Sequence, residues 1–358
     1  MFLWELIEVL SRRIQLRLLE NYAALKPSEK SQRIDGLLDI GVLLDGKPAS
    51  LKTTLSSEII KTFKLFPGKS AEKLRKTPAP KGRLSALLFG PPGTSKTQVA
   101  KAIAAELGWP LVEIDPSHFL RDSFENIYVQ AENIFEDVMD MCGVVVLFDE
   151  MDALVQKRDG EHVPDTASKF LTTYMLPKLA KLHDRRQIIF LMATNFPANF
   201  DDAIKRAGRF DLLLCMGPPT LADKSASVHI FLGCKPNEAT KQIGECILTL
   251  AGQNCWVEDQ LSLYTFGDFK SFIERLCAPD VDVKAFTSDD LRNFVEEDSR
   301  TVGLQLDALA PLFNAVKTKN RRLAELDSAD VDNAGLKPEE TKVPVIKYVL
   351  ERQRSKRQ

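Results

Sequence analysis

The sequence predicts an α/β domain, a parallel sheet flanked by helices, with a mainly helical region before it and a helical domain after it. Three observations carry this. Five apolar runs of strand length alternate with helical patterns: Leu84–Phe89, Leu111–Ile114, Val144–Phe148, Ile188–Met192 and Leu212–Met216. These runs are apolar nearly throughout, the mark of strands covered on both faces and therefore parallel. Beyond Pro218-Pro219 the chain reads mostly helical, with loops such as Cys277–Val283. Ahead of the first strand, Phe2, Leu3, Leu6, Ile7, Leu10, Ile14 and Leu18 recur at helical spacing, and a stretch ending Lys76-Thr77-Pro78-Ala79-Pro80-Lys81-Gly82 reads as a linker. The expected divisions are an adaptor and linker region over 1–80, an α/β domain over 81–219, and a helical lid with a basic tail over 220–358.

Composition sets the outer limits. Hydrophobic residues make up 44% and charged residues 27% of 358, ordinary for a globular protein with a core. A net charge of −2, from 48 basic and 50 acidic side chains, supplies no global field for nucleic acid or membrane. Glu5, Glu8, Arg12 and Arg13 interrupt the N-terminal apolar pattern, so neither an export signal nor a membrane span is expected there. The six cysteines form no C-x-x-C pair, and none of the four histidines stands at ligand spacing to one, which argues against zinc. Reduced thiols in a cytoplasmic protein are the simpler expectation.

The chemistry begins after the first strand. Leu87-Leu88-Phe89 leads into Gly90-Pro91-Pro92-Gly93-Thr94-Ser95-Lys96-Thr97 and then a helical run, Gln98–Leu107. Strand, glycine-rich turn and helix opening with Lys-Thr is the arrangement of a P-loop, which cradles a triphosphate. Gly90 and Gly93 permit backbone angles that turn successive N–H groups inward, and the helix N-terminus adds partial positive charge. Lys96 is expected to reach the β- and γ-phosphates of ATP, and the Thr97 hydroxyl to bind Mg²⁺. Ser95 stands where the consensus G-x-x-x-x-G-K-[ST] has its second glycine.

The next elements supply acid and amide groups. Val144–Phe148 ends in Asp149-Glu150-Met151-Asp152, and a buried strand ends in carboxylates at a cost unless they have work at the sheet edge. Asp149 would hold Mg²⁺ through its water shell, and Glu150 would polarise an attacking water. Ile188–Met192 leads to Ala193-Thr194-Asn195, where the amide can orient that water; taken alone, Asn195 reads equally as a turn former before Phe196-Pro197.

From Ala193 to Asp211, through Phe200-Asp201-Asp202-Ala203-Ile204-Lys205-Arg206-Ala207-Gly208-Arg209-Phe210-Asp211, the chain resembles the AAA branch of the AAA+ ATPases, whose second region of homology reads A-T-N-x-P-x-x-L-D-x-A-x-x-R-x-G-R-F-D. Phe200 takes the Leu slot. The resemblance covers roughly Lys81 to Pro219 and extends more weakly to Thr287-Ser288-Asp289-Asp290-Leu291, which is similar to the family's T-G-A-D-L segment. It implies that Arg206 and Arg209 project into a neighbouring subunit's ATP site, where a guanidinium offsets charge developing in phosphoryl transfer. It also implies a homo-oligomeric ring, most simply a hexamer, and a protein partner that is remodelled, unfolded or disassembled. The family's aromatic pore loop falls on Ser123-Phe124-Glu125, where Phe124 is equally well a core residue. Two alternatives stay open: a nucleotide-gated oligomeric switch with slow turnover, and a DNA-associated ATPase, which the near-neutral charge disfavours.

Overall fold

The computed structural model describes residues 2–28, 31–38, 41–44, 47–64, 82–90, 92–121, 126–151, 170–195, 209–278 and 286–298. It forms two compact units, one of Met1–Leu37, Lys52–Phe89 and Lys96–Leu214, the other of Leu38–Leu51, Gly90–Ser95 and Cys215–Gln358.

The first unit is built on a five-stranded sheet. Its strands are β1 (Ser85–Phe89), β2 (Leu111–Ile114), β3 (Val145–Phe148), β4 (Ile189–Thr194) and β5 (Leu212–Cys215), in the order β2-β3-β4-β1-β5. Each lies on an apolar run read from the sequence. Pairing is parallel between β2 and β3, β3 and β4, and β1 and β4, with Phe148 opposite Met192 and Phe89 opposite Thr194. Parallel registration brings the ends of β1, β3 and β4 to one edge, which is where the polar residues follow. Every residue of β1, β3 and β4 is buried, as strands packed on both faces require.

Helices cover that sheet for reasons visible in their patterning. Helix α1 spans Phe2–Asn21, α2 Lys96–Leu107, α3 Ile127–Asp140 and α4 Leu176–Arg185. Helix α2 buries Val99 and Ile103 together with Ala100, Ala102 and Ala104, whose small side chains let it lie close to the strands. Helix α1 buries Leu18 and Leu19, the Tyr22 hydroxyl after it donates to Asp137 Oδ2 at 2.9 Å, and Leu25 bridges antiparallel to Leu111 on edge strand β2. Packing thus joins α1 to the α/β layer.

The second unit contains the hairpin Gly41–Leu44 with Lys47–Ser50 and a set of helices: α5 (Leu221–Ala226), α6 (Glu238–Gly252), α7 (Cys255–Leu263), α8 (Phe266–Leu276) and α9 (Ser288–Asp298). Side-chain caps start all five: Thr220, Asn237, Asn254, Thr265 and Thr287 each accept from backbone N–H groups in the first turn, satisfying donors that a helix leaves open. Gly244 lets α6 approach α5, since a Cβ there would lie 2.0 Å from the Ser225 carbonyl oxygen. The core holds Phe231, Ile247, Leu261, Phe269, Phe272 and Val295.

One lysine lies inside this core. Lys224 is fully buried, and its Nζ donates to the carbonyls of Leu261 at 2.8 Å and Ser262 at 3.0 Å. Those carbonyls close α7, where a helix carries unsatisfied acceptors and negative partial charge. The Phe269 ring lies 5.5 Å from the Nζ. Burial pulls the Lys224 pKa well below 10.5, and the Asp268 carboxylate only partly opposes that. Lys224→Ala is expected to lower stability by about 2–4 kcal/mol, from lost packing and two stranded carbonyls. Lys224→Met, which keeps the volume, costs less. Because the folded state holds the lysine's proton less tightly than the unfolded chain, stability should climb with pH toward 10.5. Urea unfolding from pH 7 to 10 tests this: the Met variant should show a shallower climb.

Candidate functional site

The carboxyl edge of the sheet gathers the residues that the sequence singled out. Thr97, in the first turn of α2, donates from Oγ1 to Asp149 Oδ2 at 2.7 Å. Asp149 follows β3 directly, and its other oxygen, Oδ1, accepts the Glu150 N–H at 3.0 Å. One carboxylate is thereby fixed at both oxygens, half-buried beside a hydroxyl, the oxygen donor set that suits Mg²⁺. Glu150 is exposed and has φ +52°, a left-handed conformation that costs a non-glycine residue of order 1–3 kcal/mol. The Asp149 bond to its N–H helps hold that turn, leaving the Glu150 carboxylate at the solvent side of the edge.

Asn195 follows β4 on the same edge, one residue beyond the Thr194 that pairs with Phe89. Its Oδ1 is buried and accepts no hydrogen bond among the described residues. Buried amide oxygens are rarely left so, and a bound water or ligand is the usual explanation. Among the described residues no cluster of three His, Cys, Asp or Glu could hold a metal. That is no obstacle for Mg²⁺, which takes one or two protein oxygens together with phosphates and water.

The loop from β1 to α2 has the backbone of a phosphate cradle. Gly90 has φ +156°, and a Cβ there would lie 2.1 Å from the Met216 carbonyl oxygen, an impossible distance against backbone. Gly93 has φ +76°. Ser95 has φ +63°, which explains why the consensus places glycine there and shows that serine accepts the same conformation. Lys96 is buried, at 8% exposure. Ser95→Gly is therefore expected to hold folding stability within about 1 kcal/mol and keep nucleotide binding, whereas β-branched Ser95→Val should lose at least about 1 kcal/mol. Thermal unfolding of both variants checks the order.

Sequence reasoning missed one contact of this loop. The Phe266 N–H, at the start of α8, donates to the Gly93 carbonyl at 3.0 Å, and a Cβ on Gly93 would lie 2.9 Å from Thr265 Oγ1. Thr265 and Asp268 form a capping box. Thr287 and Asp290 pair in the same way at α9, on the surface. The T-x-x-D pattern occurs three times in the second unit, at Thr220, Thr265 and Thr287, and the one against the P-loop is at Thr265, not at the Thr287 segment that the sequence comparison with T-G-A-D-L picked.

Arg209 is half-buried. Asp211, two residues on, accepts the Leu84 N–H at 2.8 Å just before β1 begins, whereas Asp149, Glu150 and Asn195 follow the strand ends. The length of β1, about 13 Å at ~3.3 Å per residue, separates the two edges. Pro91, Phe124 and Arg206 lie outside the described residues.

Residues 86–218 match the sequence model of the family described as ATPase family associated with various cellular activities (AAA). The chain is 31% identical over 145 residues to the ATP-dependent zinc metalloprotease FtsH of Lancefieldella parvula, covering 40% of this chain and 22% of that protein. It is 38% identical over 152 residues to the ATPase family gene 2 protein of Schizosaccharomyces pombe, covering 42% and 18%. With the Cell division cycle protein 48 homolog of Archaeoglobus fulgidus it shares 32% over 140 residues, covering 39% and 18%. The chain thus spans about a fifth of the length of the curated relatives it matches.

Proposed function

We propose that this chain works as an AAA ATPase, the family whose model residues 86–218 match, and that it hydrolyses ATP to ADP and phosphate in a ring whose subunits complete one another's sites. The carrying observation is the split across the sheet: Thr97, Asp149, Glu150 and Asn195 on one edge, and Asp211, two residues after Arg209, at the other. An arginine so placed supports service to a site on another copy.

Within one site the roles follow from the groups present. The N–H groups of Gly93, Thr94 and Ser95 and the Lys96 ammonium bind phosphate. Thr97 and Asp149 hold Mg²⁺, which when bound neutralises charge on the phosphates. Glu150 takes the proton of the attacking water, and the open Asn195 Oδ1 accepts a hydrogen bond that fixes the same water. Arg206 and Arg209 of the adjacent subunit would stabilise the transferring phosphoryl group.

The division into a 1–80 adaptor, an 81–219 nucleotide domain and a 220–358 lid is part of this reading, as are a hexameric ring and a protein partner driven to unfold or disassemble. No helix among the described residues is long and apolar enough to cross a membrane. The free, exposed thiols of Cys234 and Cys255 support a reducing, cytoplasmic setting.

Mixed assemblies test the central point. Lys96→Ala subunits lack a working phosphate cradle but keep their arginines; Arg209→Ala subunits have the reverse defect. Neither alone should turn over ATP, and mixing them should restore part of the activity. Absence of any recovery would refute an arginine acting between copies.

A further inference from the structure

The amino edge of the sheet carries a polar cluster that the ATPase motifs leave unassigned. Asp211 Oδ2 accepts from the Leu84 N–H at 2.8 Å and from the Ser85 hydroxyl at 3.1 Å. The Asp211 N–H donates back to Ser85 Oγ at 2.9 Å. The remaining carboxylate oxygen, Oδ1, lies 3.0 Å from Nε2 of His183, in the last turn of α4. Three elements, the start of β1, the end of α4 and the residue before β5, are tied together at this one aspartate.

We propose that Ser85 and His183 act through Asp211 as a staple that positions Arg209 for use by a neighbouring copy. The inference rests on the reading that Arg209 serves another subunit's site. Two residues of chain, at most about 7 Å, separate the anchor from the arginine, so backbone freedom at 211 becomes displacement of the guanidinium. Misplacement by about 1 Å can cost two orders of magnitude in rate where charge stabilisation depends on geometry.

The cluster has the build of a fixed anchor. The side chains of His183 and Asp211 are only 15% and 17% exposed. Burial pushes the Asp211 carboxyl up, but the Leu84 N–H, His183 and the Ser85 hydroxyl together outweigh it and hold the pKa below the ordinary carboxylate value. The other acid near the imidazole, Asp184, lies 3.4 Å from Nδ1 and is 83% exposed, so water screens it while Asp211 is sheltered. His183 stands outside the A-T-N to R-F-D pattern, and for that reason no motif points to it.

The experiment uses the full chain carrying His183→Ala, Ser85→Ala or His183→Gln, with Arg209→Ala as reference. Each is assayed for affinity of a fluorescent ATP analogue, for kcat at saturating protein, and for recovery when mixed with Lys96→Ala subunits. His183→Ala and Ser85→Ala should leave nucleotide affinity within about twofold and lower kcat at least about tenfold. Mixing should restore activity as it does for Arg209→Ala, and His183→Gln, which keeps a donor, should retain most of kcat. Ser85→Ala serves where His183→Ala does not fold. Unchanged kcat in the alanine variants would overturn the proposal. So would a loss that mixing fails to repair while the Arg209→Ala mixture recovers. If the Arg209→Ala mixture itself shows no recovery, the reading of Arg209 is wrong and the staple falls with it.

Discussion

Glu150→Gln is expected to bind ATP and hydrolyse it at least about a hundredfold more slowly, the scale of a lost general base. Glutamine has the same shape, and the turn is held by the Glu150 N–H on Asp149 Oδ1, a backbone contact that the substitution keeps. Thr97 and Asp149 are left paired as before, so the proposed metal ligands and phosphate cradle are not disturbed. What disappears is the ability to accept a proton from water. Steady-state phosphate release measured beside equilibrium binding of a fluorescent ATP analogue separates the two steps. Normal turnover would remove Glu150 from the mechanism, and lost binding would mean that the strained turn had collapsed.

Arg209→Ala is expected to have the larger effect, a fall in kcat of about 10³-fold or more, with ATP affinity of the same subunit nearly unchanged. Asp211 anchors the chain beside Leu84, at the start of β1, while the phosphate loop begins at its other end. A subunit's own nucleotide should therefore not sense the truncation, and the loss should appear in kcat rather than in binding. A raised Kd with kcat preserved would instead indicate that Arg209 works on its own subunit's nucleotide.

Much of this was legible in the residues. Five apolar runs located the five strands within about two residues at each end, because strands buried on both faces must be apolar throughout. The Thr97–Asp149 contact was foreseeable too, since a P-loop and an acidic strand end share the carboxyl edge of a parallel sheet. Other features were not. Ser95 looked like a departure from the consensus, and only its φ of +63° shows that the departure keeps the backbone conformation. The three T-x-x-D caps are equivalent as strings; which one meets Gly93 depends on helix packing far along the chain. The α1 periodicity named a helix but not its partner, and the Tyr22–Asp137 and Leu25–Leu111 contacts place it on the α/β layer. His183 carried no signal, because its significance comes from a single contact with Asp211.

ATPase rate per subunit against protein concentration, with Glu150→Gln as the blank, tests most directly the claim that these sites are completed by a neighbour. The account predicts a rate per subunit that climbs steeply as copies assemble, then levels off, and vanishes in the variant. A rate per subunit independent of concentration down to the monomer would contradict it, and a negligible rate at every concentration with ATP still bound would favour a nucleotide-gated switch instead.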